Sequence, residues 1–334
     1  MRTRHFIGES DFQQEQSEAT ENAFSVPSCS IPDTLLLLLL LAVAAGVKAA
    51  DVPRRFATPE AAVSALGEAL KATNTAALRA MFGAAWDDLV NPDDVQVAND
   101  LAVLATALHQ TNRLLRVSRS RAELEVGTHR WPFPIPLVRE EGGWYFDTVA
   151  GLDEILNRRI GRNELAVLAT LRAGVQAQRE YASRDRDGDE VLEFAQRLIS
   201  SPGAKDGLYW SRKLDGEISP LGPLVARAQT VGYKRPQAGT NTVPQPFHGY
   251  YFKILTRQGR HAPGGRYDYV INGNMIGGFA LAAWPADYGA SGVMTFIVNQ
   301  QGRVFQKDLG PQTANTVGAM KEYDPEKTWS ASQD

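Results

Sequence analysis

The stretch from His248 to Gly310 constrains the fold more than any other. Aromatic and β-branched runs alternate there with turns carrying Gly, Asn and Pro, the pattern of consecutive antiparallel strands. Four strands are expected, Tyr250 to Thr256, Gly278 to Trp284, Gly292 to Asn299 and Arg303 to Asp308. Asn299-Gln300-Gln301-Gly302 is a short turn with a glycine available for positive φ, so the last two strands form a hairpin.

The chain before this sheet opens with helices. Thr58 suits an N-cap and Pro59 a first helical position, and Ala62, Leu66, Ala69 and Leu70 follow at helical spacing. A short helix restarts at Asn74-Thr75, and a third covers Val95 to His109. From Leu114 the apolar period changes to two, and Leu137 to Asp147 reads as a closing hairpin. A long helix is expected from Asn163 to Tyr181. A second, capped by Asp187 or Asp189, carries Val191, Phe194, Leu198 and Ile199 inward, and a third starts at Ser219-Pro220. A last short helix covers Thr313 to Tyr323, ahead of a polar tail.

The 334 residues suffice for two domains, and 43% hydrophobic with 22% charged residues places the chain among globular proteins. Leu35 to Val47 is an apolar run of 13 residues, the length of a secretory h-region and short of the ~20 residues of a membrane span. Cleavage is expected after Ala49 or Ala50. The segment ahead of it is acidic where a basic n-region belongs, explained by a start downstream of Met1 or by an extension peculiar to this chain. The expected division is therefore 1–49 extension and signal peptide, 50–150 first domain, 151–325 second domain and 326–334 tail. No transmembrane segment is expected in the mature chain, which would be periplasmic or secreted.

Cys29, the only cysteine, precedes the apolar run, so the mature chain would contain no disulfide, thiolate metal site or cysteine nucleophile. Residues 1–49 hold three basic and six acidic residues, which leaves 32 of each beyond them. That neutral balance offers no field for a phosphate backbone, and nucleic acid is not an expected partner.

Asp185, Asp187 and Asp189 alternate as in the first half of a calcium-binding EF-hand loop, and Glu193 could add an oxygen. Glu190 stands where the turn glycine belongs and Gln196 where a bidentate Glu belongs, so a solvated, capping acidic loop is the competing reading. No other cofactor is expected. His248 lies at the mouth of a strand, with Asp268 and Asp287 on nearby loops, a pairing that suits a general base. No G-x-S-x-G or H-E-x-x-H pattern accompanies it, and no catalytic residue is assigned. Tyr209, Trp210, Trp284 and Tyr288, with His248, are the candidate ligand-binding residues, since aromatics supply rigid stacking faces; core packing explains aromatics on strands equally well.

Three resemblances add to this reading. Helices followed by a sheet that ends on Trp144-Tyr145-Phe146 resemble the cone-like α+β fold of nuclear-transport-factor-like proteins. LATLRAGVQAQREY, an Asp/Gly loop, GYYF, FALAAWP and N-x-x-G-R-V-F, in that order, are similar to the helix and antiparallel sheet of type IV pilin and pseudopilin heads. Pilins place an apolar assembly helix directly before the head; this chain has a secretory-type run instead, so it is not expected to polymerise. Most specifically, FDTVAGLDEILNRRIGRNE (146–164), DRDGDEVLEFAQRLISSPGAKDGLYW (185–210), SPLGPLV (219–225), HGYYFKILTRQG (248–259) and the run from Tyr267 to Gly310 identify the chain as a member of the domain-of-unknown-function 2950 family of bacterial exported proteins. The resemblance implies export and no activity. The expectation is a non-catalytic binding or structural module of the cell envelope, meeting envelope proteins or a cell-wall component. The alternative is a small-ligand carrier or enzyme with a pocket in the first domain or between the domains.

Overall fold

The computed structural model describes residues 52–332, except Val90, Asp187, Lys213, Asp215 and residues 235–244. The apolar run Leu35–Val47, the cleavage positions Ala49 and Ala50, and Cys29 lie outside the described residues. Residues 48–334 form one compact unit of α+β class.

Helix α1 (Pro59–Lys71) starts where Thr58 Oγ1 accepts the Ala61 N–H and proline occupies the first turn. Its buried face, Ala62, Val63, Leu66, Ala69 and Leu70, faces a core shared with α2 (Thr75–Phe82), α3 (Trp86–Leu89) and α4 (Asp94–Gln110). Asn74 and Asp93 cap α2 and α4 with side-chain oxygens. The strands β1 (Asn112–Arg116), β2 (Arg121–Val126), β4 (Leu137–Glu140) and β5 (Gly143–Phe146) form an antiparallel sheet in that order, with β3 (Trp131–Pro132) on β2. Alternation decides its faces. In β2 Ala122, Leu124 and Val126 are buried, whereas Arg121, Glu123 and Glu125 point away.

Helix α5 (Thr148–Tyr181) is 34 residues long, roughly 50 Å, and begins earlier than the periodicity from Asn163 suggests. Ile155 packs on the first core, while Val167, Leu168, Leu171 and Val175 belong to a second core. Two glycines permit this course. A Cβ at Gly151 would lie 2.7 Å from the Pro134 carbonyl oxygen, and one at Gly174 would lie 2.7 Å from Leu281 Cδ1.

The second core is built on the antiparallel sheet foreseen between His248 and Gly310. Its order is β15 (Ser330–Ala331), β13 (Val304–Asp308), β12 (Met294–Asn299), β11 (Ala280–Pro285) and β6 (Tyr250–Leu255). β12 and β13 pair from Met294↔Asp308 to Val298↔Val304, and Gly302 in their turn has φ +82°. α5 covers the face carrying Leu281. On the other face, Lys253 Nζ caps the C-terminal carbonyls of α7 (Thr313–Ala319) at Val317, Gly318 and, just beyond it, Met320. The short strands β7 (Arg257–Gln258), β8 (Tyr267–Asp268) and β14 (Glu322–Tyr323) form a three-stranded sheet in the order β14, β7, β8, and β9 (Val270–Ile271) pairs with β10 (Asn274–Met275). The polar segment expected as a tail instead supplies β15, whose residues pair with Phe305 and Gln306.

The helix expected from Asp189 to Ile199 does not form; α6 (Gly222–Thr230) is the next helix after α5. Residues 191–198 run as an irregular segment because their backbone groups are engaged elsewhere. The buried Gln178 amide donates to Ala195 O and accepts from Ala195 N, both at 2.8 Å, and Phe194 N–H bonds Met275 O at 2.9 Å. Groups held this way are unavailable to an i→i−4 ladder. Glu190 at φ +68° also turns the chain out of helical conformation just upstream.

Candidate functional site

This irregular segment folds back against residues 207–210 and makes a cleft there. Leu208 N bonds Arg197 O, Tyr209 N bonds Leu198 O and Ser200 N bonds Tyr209 O at 2.9–3.0 Å. The intervening loop turns at Ser201-Pro202-Gly203-Ala204, with proline and a positive-φ glycine (+79°) at the central positions of a type II turn. Asp206 closes it, accepting the Ser201 N–H and hydroxyl, both at 2.7 Å. Burial works to raise the Asp206 carboxyl, and the Ser201 bonds outweigh it, so it stays below the usual carboxylate range.

The cleft has a volume of about 330 Å³, with Ile199, Pro202, Tyr209, Trp210, Ser211 and Leu214 among its lining residues. Ile199 and Leu214 are 40% and 42% exposed at its rim. Tyr209 is buried and Trp210 only 4% exposed, so neither offers an open stacking face. Behind the cleft the Arg186 guanidinium lies 5.4 Å from the Trp210 ring centre and 5.7 Å from that of Tyr181, and Lys205 Nζ lies 5.6 Å from Trp210. Glu217 accepts from both cations, and those bonds, Lys205 first, hold its carboxyl below the usual range. The buried Trp210 indole N–H has no hydrogen-bond partner among the described residues.

The other expected site residues lie apart from this cleft. The Trp284 ring is 5.7 Å from Tyr251 on the second sheet, and the Tyr288 hydroxyl donates to Asp308 at 3.0 Å. His248 sits at φ +51°, its ring 4.3 Å from Phe247 and 5.9 Å from Tyr233, and burial pushes its imidazole down. Asp268 pairs with Arg257 at 3.4 Å, while Asp287 bonds Ser291 through its backbone, so neither serves His248. The carboxylate near it is Asp93, 2% exposed, which accepts from Tyr233 OH (2.6 Å), Gly249 N (3.2 Å) and Gln96 N (3.1 Å). Buried Gln96 continues to Asn163 Oδ1 at 2.7 Å, and Asn163 Nδ2 to Ser291 O at 2.8 Å. Nothing in the sequence pattern points to Asp93 as a partner for residues 140 and 156 positions away.

A histidine–aspartate pair does exist, at His261. Its Nδ1 meets Asp324 Oδ2 at 2.9 Å and its backbone N–H meets Oδ1 at 2.8 Å. Arg260 Nε lies 3.3 Å from the remaining ring nitrogen, so the base position is already covered.

In the acidic loop, Asp187 lies outside the described residues. Asp185 accepts from Gly188 N (2.7 Å) and Glu190 N (3.0 Å), Asp189 from Val191 N (2.8 Å) and Asn274 Nδ2 (2.6 Å), and Glu193 from Met275 N (2.7 Å). Among the described residues no three His, Cys, Asp or Glu side chains stand close enough to hold a metal ion. The interior of the first core, where a ligand pocket was the alternative expectation, holds the side chains of Leu66, Leu78, Met81, Leu124, Leu137 and Phe146.

A family model described as "Protein of unknown function (DUF2950)" matches residues 53–332. No curated protein and no solved structure shows significant similarity to the chain. No helix among the described residues is long and apolar enough to cross a membrane.

Proposed function

We propose, taking as premise that the chain belongs to this DUF2950 family, that it is an exported, non-catalytic binding module of the cell envelope with its ligand seated beside Tyr209 and Trp210. The observation that carries the reading is the cleft of about 330 Å³, with an apolar rim at Ile199 and Leu214 and an unpartnered indole N–H buried in its wall. A ligand with an apolar body covers that rim, and an oxygen acceptor on it answers the indole once Trp210 shifts to meet it. Export rests on the Leu35–Val47 run followed by Ala49-Ala50, the layout of a secretory signal.

The test is a thermal-shift screen against cell-wall fragments, sugars and common metabolites. A ligand near a hundred times its Kd stabilises the native state by about 2.7 kcal/mol, several degrees in melting temperature. Ile199→Lys and Leu214→Lys alter exposed rim positions and are expected to abolish that shift while leaving the ligand-free melting temperature within about a degree. A shift that survives both substitutions removes the ligand from this cleft. Turnover of any bound compound, abolished by a point substitution, ends the non-catalytic reading.

A further inference from the structure

We propose that a second cleft, on the α5 side of the main sheet, binds an alkylammonium group, a primary amine on an aliphatic stem. The cleft has a volume of about 500 Å³. One wall is the α5 ridge Gly161, Glu164, Leu165 and Leu168, spaced i, i+3, i+4 and i+7 on one helix face. The floor is a row across three strands, Phe296 paired with Gln306 and Gln306 with Ser330.

Glu164 carries the argument. Its Oε1 accepts the backbone N–H groups of Val293 (3.1 Å) and Met294 (3.0 Å), with the Tyr250 hydroxyl at 3.5 Å. Those bonds fix the carboxylate before any ligand arrives, and no described residue hydrogen-bonds Oε2. No Lys or Arg is among the described residues lining the cleft. Leu165, in the same wall, is 70% exposed, an apolar surface with no cover among the described residues.

A held carboxylate beside the uncovered Leu165 side chain matches a ligand with a positive head and a hydrocarbon stem. An ammonium group has three donors for Glu164 Oε2, the Gln306 amide oxygen and the Ser330 hydroxyl, while the stem lies along exposed Leu165. The groove is open to water, so affinity is modest, on the order of millimolar. This site shares no residue with the cleft beside Trp210, and its test is independent of that reading.

The experiment titrates pentylamine into the full chain and follows the amide resonances of Val293 and Met294 and the Leu165 methyls by NMR. Saturable shifts at these three positions are expected. Pentanol, which keeps the stem, and ammonium ion, which keeps the head, are each expected to bind about tenfold more weakly or worse. Glu164→Gln keeps an oxygen for the two amides and loses the charge; it is expected to weaken pentylamine about tenfold. Leu165→Ser changes an exposed side chain and serves if the first variant unfolds, with about threefold loss expected. A lysine peptide and its Nε-acetylated form separate the sources. Tighter binding by the unmodified peptide than by pentylamine makes the natural ligand a chain-borne amine, and weaker binding makes it a free one. Pentanol binding as well as pentylamine, or unchanged affinity in either folded variant, overturns the proposal.

Discussion

Asp93 caps α4, holds the Tyr233 hydroxyl and holds the Gly249 amide, and it does so with almost no exposure to water. The cap is a bond between near neighbours in sequence; the other two bonds are remote. Asp93→Ala therefore costs more than a lost cap. It leaves a buried hydroxyl and a buried amide unpaired, and the expected loss is about 3 kcal/mol or more in urea unfolding. His248 at the same junction gives a pH signature. Asp93 opposes and Arg162 reinforces the burial that lowers its pKa from an ordinary 6.5. The unfolded chain then takes up the proton before the folded one, so the stability from this site is present above pH 6.5 and declines as pH falls through the lowered folded value. His248→Asn removes the titration and tolerates φ +51°, asparagine being common at positive φ. The wild-type urea midpoint is expected to drop below pH 6.5 with a step that the variant lacks. Equal steps in the two proteins would assign the pH dependence to other groups.

At the scale of elements, local signals carried far. The caps Thr58 and Asn74, the apolar stripe of α1, and the four long strands with the Gly302 turn were all legible, because each is decided by neighbours in sequence. The segment 189–199 shows where such signals stop. Val191, Phe194 and Leu198 have helical spacing, yet Leu192 is exposed and Phe194 packs on Phe279 with the rings tilted and 4.8 Å apart, since the segment answers to α5 and β10. Gln178 decides the matter from 17 residues away. The same distance problem hid the cleft: Tyr209 and Trp210 could be singled out as aromatics, while Ile199, Pro202 and Leu214 become a rim only after the segment folds back. Gln178→Ala is expected to cost about 2–4 kcal/mol, one buried N–H and one buried carbonyl of Ala195 being left unpaired. Hydrogen exchange checks the assignment residue by residue. The Ala195 amide should lose protection well beyond what the global loss explains, and unchanged local protection would show that Gln178 does not hold the segment.

Across the whole molecule, α5 is shared by both cores: Ile155 packs with the first, Val167 to Val175 with the second. Periodicity reports which face of a helix is buried, not what lies against it, so this double role is not legible in the apolar pattern. A helix common to two cores ties their stabilities together, and the buried Asn91–Gln96–Asn163–Ser291 bonds reinforce the tie. Gly151 offers the lever. It sits at the end of α5 that meets the first core, where an added Cβ would lie 2.7–2.9 Å from the backbone of Pro134 and Ile135. Valine there forces that backbone away from the helix, with an expected cost of about 2 kcal/mol, since overpacking outweighs the propensity gained on replacing glycine. The informative reading is where the cost is felt. If α5 couples the cores, Gly151→Val lowers the urea midpoint of exchange equally for peptides containing Leu124 in the first core and Leu281 in the second. A fall at Leu124 with Leu281 unmoved would mean that the two cores unfold separately despite the helix they share.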